Sequence, residues 1–438
     1  MHFYSILVRK QVKNMMVKYE LKRIFTKRMN RLLLAVAVII GVVMSVFAVT
    51  SSRYVDSSGA GHETPDAVRR LVEDKNQWKG KLTGDVIAQI VADRQKIAGE
   101  YQDDNVPDTV WGERIQSYTD IADMVDSILG GDEEYMPGAL LGITLDQAKD
   151  IYSIREQYIE QLIQKYGDTP EKQEFLRKQY EKADTPFYYE ASDSWNTMLL
   201  YATTYGIILV VLIGFLAAGI FSDEFSLRAD SVFFSCRYGR SRAVRSKILT
   251  GLLMATVIYW AGMALLSGIS FAVMGVSGFG TTYQIQYPYS IYNISVGQEY
   301  LILLLCGYIA SLLSASVAML VSAKTHSANI AVCIPFILFC VSPFIGRALP
   351  FGTFFQLTPD QLLNILNSAK YPYIYQIGSV VFRQIPFIML FYTLVAAVFL
   401  PVIYQCFRRY GMKRSAPVLH PKQDRKGNLL MKGNRMKI

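Results

Sequence analysis

The polar and apolar positions along the chain fall into six long apolar runs. They are Leu32–Thr50, Thr197–Phe221, Ile248–Met274, Tyr300–Ala323, Ser327–Gly346 and Gln384–Phe407, and none contains Asp, Glu, Lys or Arg. A hydrocarbon core about 30 Å thick needs roughly 20 helical residues to cross it. Backbone polar groups must be satisfied within the segment there, so such runs form helices. Buried core helices of soluble domains have shorter runs, and six of this length in one chain predict six membrane spans. The first run follows a flank of 31 residues and exceeds the apolar core of a cleaved signal peptide, so it reads as an uncleaved anchor.

Between the first two runs lies an insertion, residues 51–196. Its start, Ser51 to Gly61, is rich in Ser and Gly and reads as a linker. Helical spacing follows. Trp111, Ile115, Tyr118, Ala122, Val125 and Leu129 step by three and four residues, as do Leu82, Val86 and Ile90, and Ile151, Ile154, Tyr158 and Leu162. Gly167 to Pro170 breaks the chain, with Thr169 placed to cap a next helix and Pro170 at its first position. The predicted fold class is therefore an all-α polytopic membrane protein, six transmembrane helices plus an α-helical extracytoplasmic domain of four or more helices. Its apolar stripes form an internal core or, in part, a lateral groove for a partner or substrate.

Charge assigns the sides. Residues 1–31 hold nine Lys/Arg against Glu20 alone, and the tail 408–438 holds ten against Asp424. Segment 222–247 holds six basic residues against Asp223, Glu224 and Asp230. Residues 275–299 have none, and 347–383 have only Arg347, Lys370 and Arg383. The positive-inside rule puts both termini and the 222–247 loop in the cytoplasm of a multi-pass protein of the cell membrane. Lys324 to His326 becomes a tight cytoplasmic turn. The insertion falls outside, with 16 Lys/Arg against 29 Asp/Glu, a net of −13. The overall charge of +9 is thus topology and attraction to the anionic lipid bilayer, not a nucleic-acid footprint.

The chemistry of catalysis is missing from the pattern. There is no GxxxxGK[ST] phosphate loop, no HExxH and no CxxC, and the four histidines lack metal-ligand spacing. No cofactor or metal is expected, and no catalytic residue. None of the five cysteines lies in 51–196, so the exported domain depends on packing alone. The charge-free spans also lack the ionisable relays of ion-coupled transporters, so transport would draw its energy from a partner.

Three segments carry candidate function. Residues 1–31 alternate apolar and basic positions and predict an amphipathic helix in the membrane interface, with Lys18, Glu20, Lys22 and Arg23 near its end. In 222–247, Glu224 sits at the inner end of the second span, against the charge trend. A short helix with Val232, Phe233 and Phe234 follows, then Gly239, placed to supply a left-handed turn, then Arg240, Arg242 and Lys247. That segment lies on the membrane or presses into a groove on a partner. Between the last two spans, Phe354, Phe355, Thr358 and Pro359 form a capped helix start, a candidate outer gate dipping toward the bilayer or a plain surface helix.

Together these features resemble the permease subunit of a type-2 ABC exporter. The resemblance rests on the basic amphipathic stretch with Glu20-Leu21-Lys22-Arg23 before span one, on Glu224 followed by a short helix and Gly239-Arg240-Ser241-Arg242, and on six spans with a helical element between the fifth and sixth. It covers everything except the 51–196 insertion, which only some branches of the family carry. One departure is Arg228-Ala229-Asp230, where family members often have a small Gly-Thr pair. The resemblance implies a second permease chain in the membrane and separate ATPase subunits below. Segment 224–247 would be their coupling helix, and Glu224, Phe233, Phe234, Gly239, Arg240, Arg242 and Lys247 the coupling residues. ATP hydrolysis would belong to the partner subunit. The alternative is a membrane-anchored receptor that binds a ligand through 51–196.

Overall fold

The computed structural model describes residues 15–101, 105–131, 136–348 and 355–410. The predicted helix over residues 1–14, the tail 411–438 and Phe354 lie outside these. Among the described residues six helices are long and apolar enough to span a membrane: α2 (Arg28–Thr50), α8 (Asp193–Ser226), α10 (Val244–Met274), α11 (Val296–Thr325), α12 (Ala328–Ile345) and α13 (Gln384–Arg408). The chain is an all-α polytopic membrane protein. Except for α12, its spanning helices outrun the apolar runs at one or both ends. α8 takes in Asp193, Asp223 and Glu224, and α11 starts four residues before its run, so that Glu299 is fully buried in its first turn.

The core of the bundle is α8 against α10 and α11. Ser314 Oγ donates to the Val210 carbonyl at 2.8 Å, across the α8–α11 contact. Gly214 makes that approach possible, because a Cβ there would lie 2.6 Å from Ser314 Oγ and 2.9 Å from Pro335 Cβ. Small residues give spanning helices the close backbone contact that a hydrophobic driving force cannot supply in lipid. α2, α12 and α13 flank this core and expose large apolar side chains such as Ile39, Phe336 and Leu394. The turn between α11 and α12 is short: His326 takes a left-handed conformation (φ 60°) and Ser327 caps α12.

The insertion is built from α3 (Ala67–Lys75), α4 (Gly84–Glu100), α5 (Thr119–Gly130), α6 (Ile151–Tyr166) and α7 (Pro170–Tyr180). Thr169 accepts from the Lys172 amide and Pro170 opens α7, as the sequence predicts. Ile87, Ile90, Ile121, Val125 and Ile151 form its buried centre. The 111–129 stripe is not one helix: Trp111–Ile115 is a π turn and Gln116–Tyr118 a 3-10 turn before α5, and Trp111 stays exposed. The linker also has structure, since β1 (Tyr54–Val55) pairs with β2 (Gly61–His62) around Asp56, which accepts from Ser58 and Ala60. A second short pair, β3 (Gly80–Lys81) with β4 (Tyr188–Tyr189), closes the insertion.

The insertion is anchored to the bundle. Lys75, almost fully buried, pairs with Asp120 of α5 and Asp193 at the start of α8, each at 2.7 Å. Burial alone would weaken its charge; the two carboxylates outweigh that and hold it protonated above the ordinary lysine value. The segment 275–299, devoid of basic residues, forms the seat: Tyr289 donates to the Ile128 carbonyl at 2.7 Å, and Tyr180 to the Tyr289 carbonyl at 2.9 Å.

Candidate functional site

The described part of the N-terminal amphipathic segment is α1, residues 15–26. Val17 and Ile24 are buried, with Leu21 and Phe25 packed beside them, the one-face spacing of a helix. Lys18 and Lys22 point outward. At Lys27 the backbone turns extended (φ −64°, ψ 126°), and Asn30 donates to the Ile24 carbonyl at 2.9 Å to brace the corner. α1 is therefore an elbow leading into α2.

Glu20 and Arg23, on the inner face of the elbow, meet the ends of two spans. Glu224 accepts from Arg23 at 2.5 Å and lies 2.7 Å from Lys247 Nζ. Lys247 is fully buried and also pairs with Glu20 at 3.2 Å, while Glu20 reaches Arg23 at 3.0 Å. Its ammonium donates in addition to the Ile220 carbonyl at 3.0 Å. Two carboxylates and two cations thus form a neutral ring joining α1, α8 and α10. A second pair, Lys27 with Asp223 at 2.5 Å, lies beside it. Burial acts to lower the Arg23 pKa, but Glu20 and Glu224 outweigh it and raise it. A buried charge is tolerable only when paired and hydrogen-bonded, and here each one is.

The short helix α9 (Asp230–Ser235) follows α8 through Arg228, whose φ is 55°. Here the structure corrects the sequence reading: the left-handed residue of this segment is Arg228, and not Gly239. Gly239 is needed for a close approach instead, since a Cβ there would lie 1.8 Å from the Phe233 carbonyl oxygen. Phe233 and Phe234 turn inward. Their rings lie 5.7 and 5.1 Å from Phe407 at the end of α13, and Phe234 is 5.2 Å from Tyr410. Phe225 joins them, 3.9 Å from His326 and 4.9 Å from Tyr410. Arg240 stacks on Phe234 at 4.7 Å and donates to the Arg408 and Tyr410 carbonyls, at 3.0 and 2.6 Å. Lys247 lies 5.5 Å from the Phe233 ring, which links this aromatic cluster to the ion ring. Arg242 stands apart over Tyr238, at 4.3 Å.

Of the predicted coupling residues, Glu224, Phe233, Phe234, Gly239, Arg240 and Lys247 come together, and Glu20 and Arg23 join them. They face inward. The outward surface of the same segment is Leu227, Val232 and Tyr238, of which Leu227 is 69% and Val232 66% exposed. Sequence spacing did not separate these two faces, because a six-residue helix is too short for a period to show.

The outer-gate segment differs from its expected form. Pro359–Leu363 is a 3-10 helix, and Thr358 Oγ1 bonds back to the Phe355 carbonyl at 2.6 Å instead of capping it. Leu362 and Leu363 are buried against Val210 of α8, Ala310 of α11 and Ile388 of α13, and Tyr392 donates to the Leu357 carbonyl at 2.5 Å. The segment therefore tucks between spans. A hairpin follows, β5 (Ile374–Ile377) with β6 (Val380–Arg383), turning at Gly378 with φ 63°. Its signal was the Gly378-Ser379 dipeptide between two β-branched runs.

Comparison with protein-family models, curated proteins and solved structures finds no match to this chain.

Proposed function

We propose that the chain is the membrane-spanning subunit of an ATP-driven ABC exporter, powered by separate ATPase subunits that dock on the 227–238 face. The carrying observation is the ring of Glu20, Arg23, Glu224 and Lys247 beside the Phe233/Phe234 cluster. It ties one short surface helix to four elements at once: the elbow, the ends of α8 and α13, and the start of α10. A push on Leu227 and Val232 then moves the helix ends together, because packed interiors shift as units and do not absorb strain locally. This chain's own residues transmit force; they perform no bond chemistry. The charge-free middles of the spans fit a pathway whose energy comes from outside them. Two copies, or this chain and a relative, pair through the apolar faces of the flanking spans.

The test is affinity purification of the full chain from its native membrane. An ATPase with a phosphate-loop sequence should co-purify and be lost from Val232→Asp, a substitution on the exposed face that leaves the fold intact. Nucleotide hydrolysis by the chain alone, or undiminished co-purification with Val232→Asp, overturns the reading.

A further inference from the structure

A second feature lies at the opposite end of the molecule and does not depend on the transport reading. Arg155 of α6 is 2% exposed, yet it has no carboxylate partner among the described residues. Its Nε donates to the Pro288 carbonyl at 2.7 Å and its guanidinium stacks on Phe187 at 5.1 Å, while Nη2 has no acceptor. Burial lowers its pKa from the ordinary arginine value, but a guanidinium does not lose its charge in a protein. An unpaired buried cation is costly, and an anion on Arg155 would offset that cost.

Arg155 lines a cavity of about 410 Å³, with Glu156, Glu160, Arg177, Tyr180 and Glu181 around it. That volume lies in the range of small-molecule sites. Glu160 is already paired with Arg177 at 2.6 Å. Glu156 and Glu181, both exposed, make no ion pair among the described residues. The cavity thus has a buried cation within and two free carboxylates at its rim. A phosphate or sulfate would satisfy the first and be repelled by the second. A molecule with a carboxylate at one end and an ammonium at the other satisfies both.

We propose that this cavity binds a small zwitterion, an amino acid or short peptide, with its carboxylate on Arg155 and its ammonium toward Glu156 and Glu181. The probes are triglycine, triglycine amide and N-acetyl-triglycine, titrated calorimetrically into the full chain in lipid nanodiscs. Triglycine should bind, and each derivative, lacking one charge, about tenfold or more weakly. Arg155→Lys should weaken triglycine and N-acetyl-triglycine alike. Because that residue is buried, the exposed double variant Glu156→Gln/Glu181→Gln serves as the second test: it should weaken triglycine and not weaken N-acetyl-triglycine. Absence of triglycine binding at millimolar concentration, equal binding of all three probes, or tighter binding of inorganic phosphate overturns the proposal.

Discussion

Lys247→Met is the most informative single change, because it removes the centre of the ion ring and keeps the side-chain volume. Lys247 is fully buried and contacts Glu224 at 2.7 Å and Glu20 at 3.2 Å. At an effective dielectric near 20, unit charges at the shorter distance attract by about 6 kcal/mol before desolvation is subtracted. Removing one partner of a buried pair costs about 3–5 kcal/mol, because the other charge stays buried. Arg23 remains to hold Glu224 and is 30% exposed in its side chain, so the lower end applies, about 3 kcal/mol. Glu224→Gln should cost about as much, leaving an excess cation. The double variant restores neutrality and should recover most of the loss, a coupling of about 2 kcal/mol or more. The assay is the apparent melting temperature of the four proteins in one detergent at one scan rate, since membrane proteins of this size unfold irreversibly. We expect each single variant to fall by roughly 3 °C and the double to lie close to the parent. Additive losses in the double variant, or no loss in Lys247→Met, would refute the claim that the ring is one coupled unit.

Three further predictions test other parts of the molecule. Gly239→Ala should cost about 1–3 kcal/mol, because its Cβ meets a backbone oxygen that must move; an unchanged melting temperature would sink that argument. Lys75→Met leaves Asp120 and Asp193 facing each other without their shared cation, at about 3 kcal/mol, and should make the 51–196 insertion cleave faster in limited proteolysis than the parent. Cys236 is exposed and Cys306 buried, so a variant keeping only these two reports orientation: an impermeant maleimide should label Cys236 in inside-out vesicles and not in intact cells, and the reverse result would invert the topology drawn from basic residues.

The six spans were legible because hydropathy is a local property. Each crossing needs its own run of apolar residues, whatever its neighbours are. Their ends were less so. A charge marks where an apolar run stops, but α8 continues through Asp223 and Glu224, whose partners Lys27, Arg23 and Lys247 neutralise them. Glu299 escaped differently: it stands one residue outside its run and is buried in the first turn of α11 without an ion pair among the described residues. Gly239 showed itself as a special position, but whether it served φ or close approach depended on where Phe233 lay.

What the chain's order of residues determined alone is therefore the periodic part: six crossings, a helical insertion, and a basic end set against an acidic one. Only the tertiary structure decided which charges meet. Glu20 and Glu224 are distant in sequence yet share Lys247, and Arg155 finds the Pro288 carbonyl from another part of the chain but no counter-ion among the described residues. Periodicity reports which face of a helix is apolar; it holds no record of which neighbour that face will meet, because pairing follows from how all the helices pack at once.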